Sequence, residues 1–396
     1  MTVEVPLRQK QQSASAVPVL DRRMVAALLA VTVAIGAVAG VLRLVLGLGA
    51  TTNLSDSYSW GIWIGFDFGL IALAGAGFTM AAVGHVLRRH EYHAAVRPAI
   101  LAGLAAYVAV LLLLVLDLGR PDRFYNFLLF WNPHSPLFEV SWCILLYTGV
   151  LVLETSPFFL ERLRWPWARK VMRIVAFIML PVAILGVTLS TLHQSTLGTL
   201  YLNMPYRLHA LWYTPLLPLM FFTSAVMAGL SMGAIAYWVA GRMVRKPVQP
   251  RIIFGLARIA AVVALLYLTL KLGEVIVAGD LGLALALNRY AALWWFELLV
   301  CVALPAALIL LPGRTLQRTG IGLALIIVGV LMNRFDATMF AQILPSGASY
   351  SPSLIEWLST AGILAAAALA WMLGVRFLPI FETDESDHGA TLHTEV

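Results

Sequence analysis

The stretch GVTLSTLHQSTLGTLYLNMPYRLHALWYTP, from Gly186 to Pro215, contains the pattern that decides the fold. It continues an apolar run that begins near 168, collects polar and aromatic residues, and ends inside a second apolar run that begins near 211. A run of about 20 apolar residues is long enough to span a bilayer as a helix. The stretch therefore predicts two membrane-spanning helices joined at one membrane surface.

Runs of the same kind recur along the whole chain. Of its 396 residues, 61% are hydrophobic and 12% are charged, and this charged fraction is about half that of a soluble domain. The runs have the length and the Leu, Ala and Gly content of helical spans, whereas strands of a membrane barrel would be short and alternating. We expect an all-α integral membrane protein with ten transmembrane helices, at 24–49, 61–87, 98–118, 137–157, 168–192, 211–239, 254–278, 291–311, 320–340 and 353–375.

Basic residues indicate the orientation of these helices. Lys and Arg are concentrated in the N-terminal segment 1–23 and in every second loop, at 88–97, 162–173, 242–258 and 314–318. The positive-inside rule then places both termini in the cytoplasm, including an acidic tail at 376–396. The net charge of +7 suits anionic lipid headgroups and needs no nucleic-acid partner.

A short internal repeat suggests how the helices are arranged. The sequence FEVSWC (138–143) in helix 4 returns as FELLVC (296–301) in helix 8. A true repeat would make two four-helix bundles of the same orientation, although so few identities can also arise by chance. The expected units are a first bundle of helices 2–5, a second bundle of helices 6–9 and two flanking helices, at 61–192, 211–340, 24–49 and 353–375.

Four ionisable residues lie at a similar depth near the outer ends of helices 2–5, namely Asp67, Asp117, Glu139 and His193. Ionised groups inside a bilayer are costly, so they usually face the protein interior and mark function. A quinone needs hydrogen-bond donors for its carbonyl oxygens, a proton source and an apolar slot. Imidazole and carboxyl groups provide the first two. We therefore predict a quinone site in the first bundle, with His193, Asp67 and Glu139 as catalytic groups.

Aromatic residues near the same surface would form the walls of the slot, with Trp60, Trp63 and Tyr125 as candidates. Apolar pockets with a few convergent polar groups are the usual ligand sites. The second bundle offers a separate set of charges. Lys271 and Glu274 are spaced to pair on one helix face, and with Glu297 they predict either a proton path or a buried ion pair without a transport role.

Each candidate also has a structural interpretation. His193 could cap the last carbonyls of helix 5, and Asp67 could hold helices together through a hydrogen bond. Glu139 could stabilise the N-terminus of helix 4, where negative charge is favoured, and Asp117 could belong to a salt-bridged corner. The tryptophans could form an interfacial belt.

Resident metal centres are not expected in this chain. Cys143 and Cys301 lie in apolar runs, and the sequence has no CxxC or CxxCH motif. Iron–sulfur clusters would therefore lie on a partner subunit. A haem b needs two histidines that face each other, and the histidines cluster near the membrane surfaces; haem through His193 and His209 is an alternative that we do not expect.

Four segments resemble a known family: TNLSDSYSWGIWIGFDFG (52–69), DLGRPDRF (117–124), SPLFEVSWC (135–143) and STLHQSTLG (190–198). They are similar to the HybB-type membrane subunits of periplasm-facing nickel–iron hydrogenases, within the NrfD/polysulfide reductase membrane-subunit family. The resemblance runs from about residue 50 to 360. It implies a ten-helix protein of the bacterial inner membrane, without its own redox cofactor.

The resemblance also implies a role in electron transfer. The subunit would take electrons from a periplasmic ferredoxin-like iron–sulfur protein and reduce menaquinone or ubiquinone near the outer face, while separate large and small hydrogenase subunits oxidise hydrogen. By position, it adds Gln194, Asp117 and Arg120 to the quinone-binding candidates.

Other functions remain open at this stage. Relatives of this family serve complexes that reduce sulfur or nitrogen compounds, so the hydrogenase partner rests on similarity alone. A secondary transporter would also suit a repeat with intramembrane charges. A structural anchor without a quinone site is a third possibility.

Overall fold

The computed structural model describes residues 22–381, except 88, 164 and 345–348. This part of the chain contains ten helices long and apolar enough to cross a membrane, which confirms the predicted all-α fold. The predicted segment before residue 22 and the tail after residue 381 lie outside the described residues. The helices are α1 Arg22–Leu46, α2 Ile62–Gly84, α3 His90–Asp117, α4 Pro136–Leu160, α5 Pro166–Leu202, α6 Leu217–Val244, α7 Pro250–Ala278, α8 Arg289–Leu310, α9 Leu316–Phe340 and α10 Leu354–Phe377.

Local sequence signals start and stop these helices. Proline opens α4, α5 and α7, because its fixed φ suits the first helical position and no hydrogen bond is lost there. The α10 helix begins with a capping box between Ser353 and Glu356. At the end of α7, Gly279 takes a left-handed conformation with φ of 79°, which a residue with a Cβ rarely adopts.

Most of the helices pack in two sets, α2–α5 and α6–α9, referred to below as the first and the second bundle. Neighbours within α2–α5 contact one another, as do neighbours within α6–α9, while α1 pairs with α10. The bundles meet mainly along α2 and α6. There Gly229 lies against Gly75 so closely that a Cβ would be 2.6 Å from the Gly75 backbone. Small residues allow helix backbones to approach in this way within membranes.

One helix differs from its predicted length in a way that affects the site. The α5 helix does not end at 192 but continues to Leu202, through the polar run His193, Gln194 and Ser195. His193 and Gln194 are fully buried, so the helix turns them toward the protein interior instead of ending at the membrane surface. The expectation that His193 closes α5 and could cap its last carbonyls is therefore wrong.

Candidate functional site

The centre of the first bundle holds a buried pair formed by Tyr107 of α3 and His193 of α5. The Tyr107 hydroxyl lies 2.8 Å from His193 Nδ1. His193 is fully buried, and its Nε2 atom has no hydrogen-bond partner in the described part of the protein. When the tyrosine hydroxyl donates to Nδ1, the neutral imidazole carries its proton on Nε2. The ring then presents a free N–H donor.

Two further polar groups with unused atoms come from α2 and α5. Gln194 donates through Nε2 to the carbonyl of Ile71 at 2.9 Å, which leaves its Oε1 without a hydrogen-bond partner among the described residues. One turn from Ile71, Asp67 is buried and its Oδ1 is also unpartnered. Asp67 lies within electrostatic reach of Tyr107. Buried polar atoms normally have partners, so these vacant atoms indicate a ligand or a water molecule.

Glu139 connects this interior to the N-terminal end of α4. Its Oε1 accepts a 2.7 Å hydrogen bond from Thr196 Oγ1 on α5, one turn beyond His193. Thr196 is buried, whereas Glu139 is exposed. The pair therefore connects the protein surface to the face of α5 that carries His193. A route for protons or for a ligand needs a connection of this kind.

The α3–α4 corner places the remaining predicted polar residues apart from His193. Arg120 forms an exposed ion pair with Asp122, 2.9 Å between Nη2 and Oδ2. The hydrogen bond from Arg120 lowers the pKa of the Asp122 carboxyl. Tyr125 is 45% exposed. Asp117 lies within electrostatic reach of Asp67 and of buried Arg43 of α1, which donates to the Leu118 carbonyl at 2.6 Å.

The two predicted tryptophans have different surroundings. Trp60 packs edge-on against Tyr201 of α5, with 5.8 Å between ring centroids, and against Phe68 of α2. Trp63 is buried and donates to Ser359 Oγ of α10 at 3.1 Å. Trp60 therefore belongs to an aromatic layer at the N-terminal end of α2 and the C-terminal end of α5, while Trp63 connects α2 to the flanking helix α10.

A buried carboxyl group in the opposite half of α4 was missed by the sequence analysis. Glu154 is 3% exposed, and neither carboxyl oxygen has a hydrogen-bond partner among the described residues. Glu154 and Tyr147 flank the same glycine of α5, since a Cβ on Gly186 would lie 3.9 Å from Glu154 Oε1 and 3.6 Å from the Tyr147 ring. The Tyr147 ring in turn packs 4.8 Å from that of Tyr107. Polar side chains thus continue from His193 toward the opposite end of the bundle, where Arg97, Arg162 and Arg169 lie. This is called the arginine-rich end below.

The second bundle centres on Glu297. This buried carboxyl accepts hydrogen bonds from Trp212 Nε1 at 3.1 Å, Tyr267 OH at 2.9 Å and Asn333 Nδ2 at 3.0 Å. Tyr267 and Asn333 come from α7 and α9, the counterparts of the α3 and α5 helices that carry Tyr107 and His193. In the second bundle the indole of Trp212 lies directly beside the Glu297 carboxyl group.

More buried charges surround Glu297. Arg334 is fully buried, donates to Asn333 Oδ1 at 2.6 Å and to Ser224 Oγ at 2.9 Å, and stacks 3.8 Å above the Phe221 ring. Lys271 is buried with its Nζ 5.9 Å from the Trp212 ring. The predicted partner of Lys271, Glu274, lines an apolar surface groove with Thr214. Asn333, Arg334 and buried Asp336 lie within four positions of α9, and none of them was predicted from the sequence.

His193 and His209 have different surroundings in the described structure. His209 stacks on Tyr290 at the start of α8, 4.2 Å between ring centroids, and its Nδ1 accepts from the backbone N–H of Leu211. Burial lowers the pKa of His209. His193 packs instead against Tyr107 in the first bundle. Across the described residues, no group of three or more His, Cys, Asp or Glu could hold a metal ion.

Comparison with known proteins identifies relatives along most of the chain. Residues 50–346 match the family model described as polysulphide reductase, NrfD. A protein of Nitratidesulfovibrio vulgaris is 38% identical, over 81% of this chain and 85% of its own length. The probable Ni/Fe-hydrogenase 2 b-type cytochrome subunit of Escherichia coli is 31% identical, over 89% of this chain and 92% of its own length. The integral membrane subunit of menaquinone reductase from N. vulgaris is 31% identical, over 85% of this chain and 86% of its own length.

Proposed function

Because the chain belongs to the polysulphide reductase NrfD family, whose members here are membrane subunits of quinone-linked oxidoreductase complexes, we propose that it binds and reduces a quinone in the first bundle. The supporting observation is the group of vacant polar atoms at its centre. His193 Nε2, Gln194 Oε1 and Asp67 Oδ1 are all buried without hydrogen-bond partners in the described structure. A quinone headgroup supplies acceptors in its oxidised form and hydroxyl donors in its reduced form.

In this proposal His193 has the central role. Its Nε2–H donates to one quinone carbonyl, and Tyr107 stabilises the tautomer that makes this possible. Reduction of a quinone to the quinol takes two electrons and two protons. The electrons come from an iron–sulfur cluster on a partner subunit. One proton reaches a carbonyl oxygen from His193 Nε2 while Nδ1 takes up the proton of the Tyr107 hydroxyl, and the second proton reaches the other oxygen from the Asp67 carboxyl in its protonated form. Asp67 and Gln194 then accept hydrogen bonds from the quinol hydroxyl groups.

Two routes can return protons to His193. The short route runs through Thr196 and Glu139 to the outer end of α4. The longer route runs through Tyr107 and Tyr147 to Glu154, near the arginine-rich end of the bundle. If the positive-inside rule holds, the second route takes protons from the cytoplasm, and quinone reduction then contributes to the proton-motive force.

For the partners, we propose the hydrogenase assembly as the first candidate. The E. coli relative is named as a hydrogenase subunit, and the N. vulgaris relative as a menaquinone reductase subunit. The complex would lie in the bacterial inner membrane, with a ferredoxin-like iron–sulfur subunit and the large and small hydrogenase subunits on the periplasmic side. A complex acting on a sulfur or nitrogen compound is the alternative.

Replacement of His193 tests the proposal. In the purified complex, His193→Ala should abolish electron transfer to quinone while dye-linked oxidation of the partner's substrate continues unchanged. His193→Gln keeps a buried hydrogen-bonding group in α5 and serves as a second variant if the alanine protein is unstable. Wild-type quinone reduction by either folded variant would overturn the proposal.

A further inference from the structure

An apolar groove of about 500 Å³ runs between α3 and α10 on the surface of the first bundle. Its wall on α3 is the stripe from Leu101 to Leu112, and its wall on α10 runs from Ile363 to Leu378. The α3 stripe rises ~16 Å at ~1.5 Å per residue. Half of a hydrocarbon core of ~30 Å is about the same length, so the groove is one leaflet long.

The groove exists because small side chains on α3 and α10 face each other, while contacts nearer the ends of these helices hold them together. Ala105 and Ala109 on α3 face Ala366 and Ala370 on α10. At the arginine-rich end the two helices are joined by the indole of Trp371, whose Nε1 donates to the Pro98 carbonyl at 3.2 Å. One turn away, the helices touch so closely that a Cβ on α10 at Gly374 would lie 2.7 Å from the Leu101 side chain. The space between the alanines therefore remains open while the helices stay together.

Basic side chains lie at one mouth of the groove. Phe159 and Phe377 line this end. Arg162 donates a hydrogen bond to the Phe377 carbonyl, and the Arg376 guanidinium lies 5.3 Å from the centre of the Phe377 ring. Both arginines are exposed. Each has N–H groups left over to bind an anion.

We propose that this groove is a binding site for an anionic phospholipid. One acyl chain lies along α3 and α10, and the phosphate of the headgroup is held by Arg162 and Arg376. The charged mouth and the apolar walls match the two parts of such a lipid. The inference does not depend on quinone reduction or on which face of the membrane is cytoplasmic.

The charge at the mouth of the groove argues against a quinone tail as the occupant. The isoprenoid tail of a quinone would fit the walls but leave the arginines without a counter-charge. Charge complementarity therefore favours the phospholipid.

The experiment is native mass spectrometry of the delipidated full chain, titrated separately with phosphatidylglycerol, phosphatidylcholine and menaquinone. We expect one tightly held phosphatidylglycerol with a preference of roughly tenfold or more over phosphatidylcholine, since each arginine near an anionic headgroup contributes about fivefold. The double variant Arg162→Gln/Arg376→Gln should lose the preference for phosphatidylglycerol. The exposed Arg169→Gln at the start of α5 is the matched control and should keep it.

A second pair of variants tests the acyl-chain position. Ala366→Leu/Ala370→Leu fills the groove and should remove the tightly held lipid, whereas Ala368→Leu on the exposed face of α10 should not. The proposal is overturned if filling the groove leaves lipid retention unchanged, if the two phospholipids bind equally, or if menaquinone displaces phosphatidylglycerol from the wild-type chain. A protein that retains no lipid also overturns it.

Discussion

The hydroxyl of Tyr107 and the Nδ1 atom of His193 lie 2.8 Å apart and join α3 to α5 at the centre of the first bundle. Both residues are buried, and the opposite ring nitrogen of His193 has no hydrogen-bond partner in the described part of the chain. When the Tyr107 hydroxyl donates to Nδ1, the proton of the neutral His193 ring lies on Nε2. A ligand at Nε2 would therefore meet a donor fixed in position by a neighbouring helix.

Loss of the Tyr107 hydroxyl should slow quinone reduction. Without its donor, His193 Nδ1 can keep the proton itself, which leaves Nε2 as an acceptor. We expect Tyr107→Phe to lower quinone-linked turnover by ~10²-fold, the lower end of general acid–base effects. Steady-state assay of the complex with a short-chain quinone measures this. Tyr237→Phe, which removes another buried hydroxyl near the end of α6, is the control and should retain activity.

Glu154 should be needed for proton uptake but not for quinone binding. We expect Glu154→Gln to leave the KM for quinone unchanged and to reduce the membrane potential generated by the complex in proteoliposomes. A potential-sensitive dye measures this effect. Glu161→Gln, on the exposed end of the same helix beside Arg97, is the matched control. An unchanged potential in Glu154→Gln would show that protons take the Glu139 route.

The hydrogen bond from Thr196 to Glu139 should position the carboxylate at the surface. Thr196→Val removes the hydroxyl between Glu139 and His193 but keeps the shape of the side chain, so we expect a lower kcat with little change in the KM for quinone. Glu139→Gln should lower kcat, since an amide cannot carry the proton. Kinetics over a range of quinone concentrations separate kcat from KM. Thr188→Val, at an exposed position of α5, should change neither constant.

In the second bundle, Asn333 should contribute to stability. Its side-chain amide donates to Glu297 and accepts from Arg334. In Asn333→Leu, Glu297 keeps Trp212 and Tyr267 as donors, whereas Nη1 of buried Arg334 loses its acceptor. An unsatisfied buried group of this kind costs about 1–3 kcal/mol. We expect a lower Tm for the detergent-solubilised protein, measured by intrinsic fluorescence. A Tm equal to that of the wild type would mean that these charges have other partners.

The purified chain should contain no haem b. His193 lies in α5 and His209 in the segment between α5 and α6, and the two rings have separate partners. The reduced-minus-oxidised absorbance spectrum of the chain purified without its partner subunits should therefore lack a Soret band. A band of one haem per chain would contradict this expectation and require a different pair of ligands.

The positions of several functional candidates could be predicted from particular residues. Asp67 and His193 were selected because ionisable groups in apolar runs are costly, and both are buried in the first bundle. Glu297 was predicted to join Lys271 and Glu274 in a proton path or a buried ion pair, and in the sequence repeat it corresponds to Glu139. The structure shows that the two glutamates differ, because Glu139 is exposed and Glu297 is buried under Trp212. A sequence repeat does not reveal which of the two corresponding glutamates is exposed and which is buried.

Other groups could not be selected from sequence. Glu154 lies three residues before the predicted end of helix 4 at 157, whereas α4 continues to Leu160 and Glu154 is buried. Tyr107 and Tyr147 have the composition of ordinary core residues, and only the packing of α3, α4 and α5 joins them to His193 and Glu154. Their relevance depends on contacts between distant parts of the chain.

The sequence by itself determined that ten helices cross a membrane, because the cost of leaving backbone groups unsatisfied in hydrocarbon makes each long apolar run a helix. It also determined which polar residues are carried into the membrane. Only the tertiary structure decided where α5 ends, which side chain meets His193 and which copy of the repeated glutamate is closed. These depend on helix rotation and on close contacts such as that of Gly75 with Gly229, which hydrophobicity along one chain does not specify.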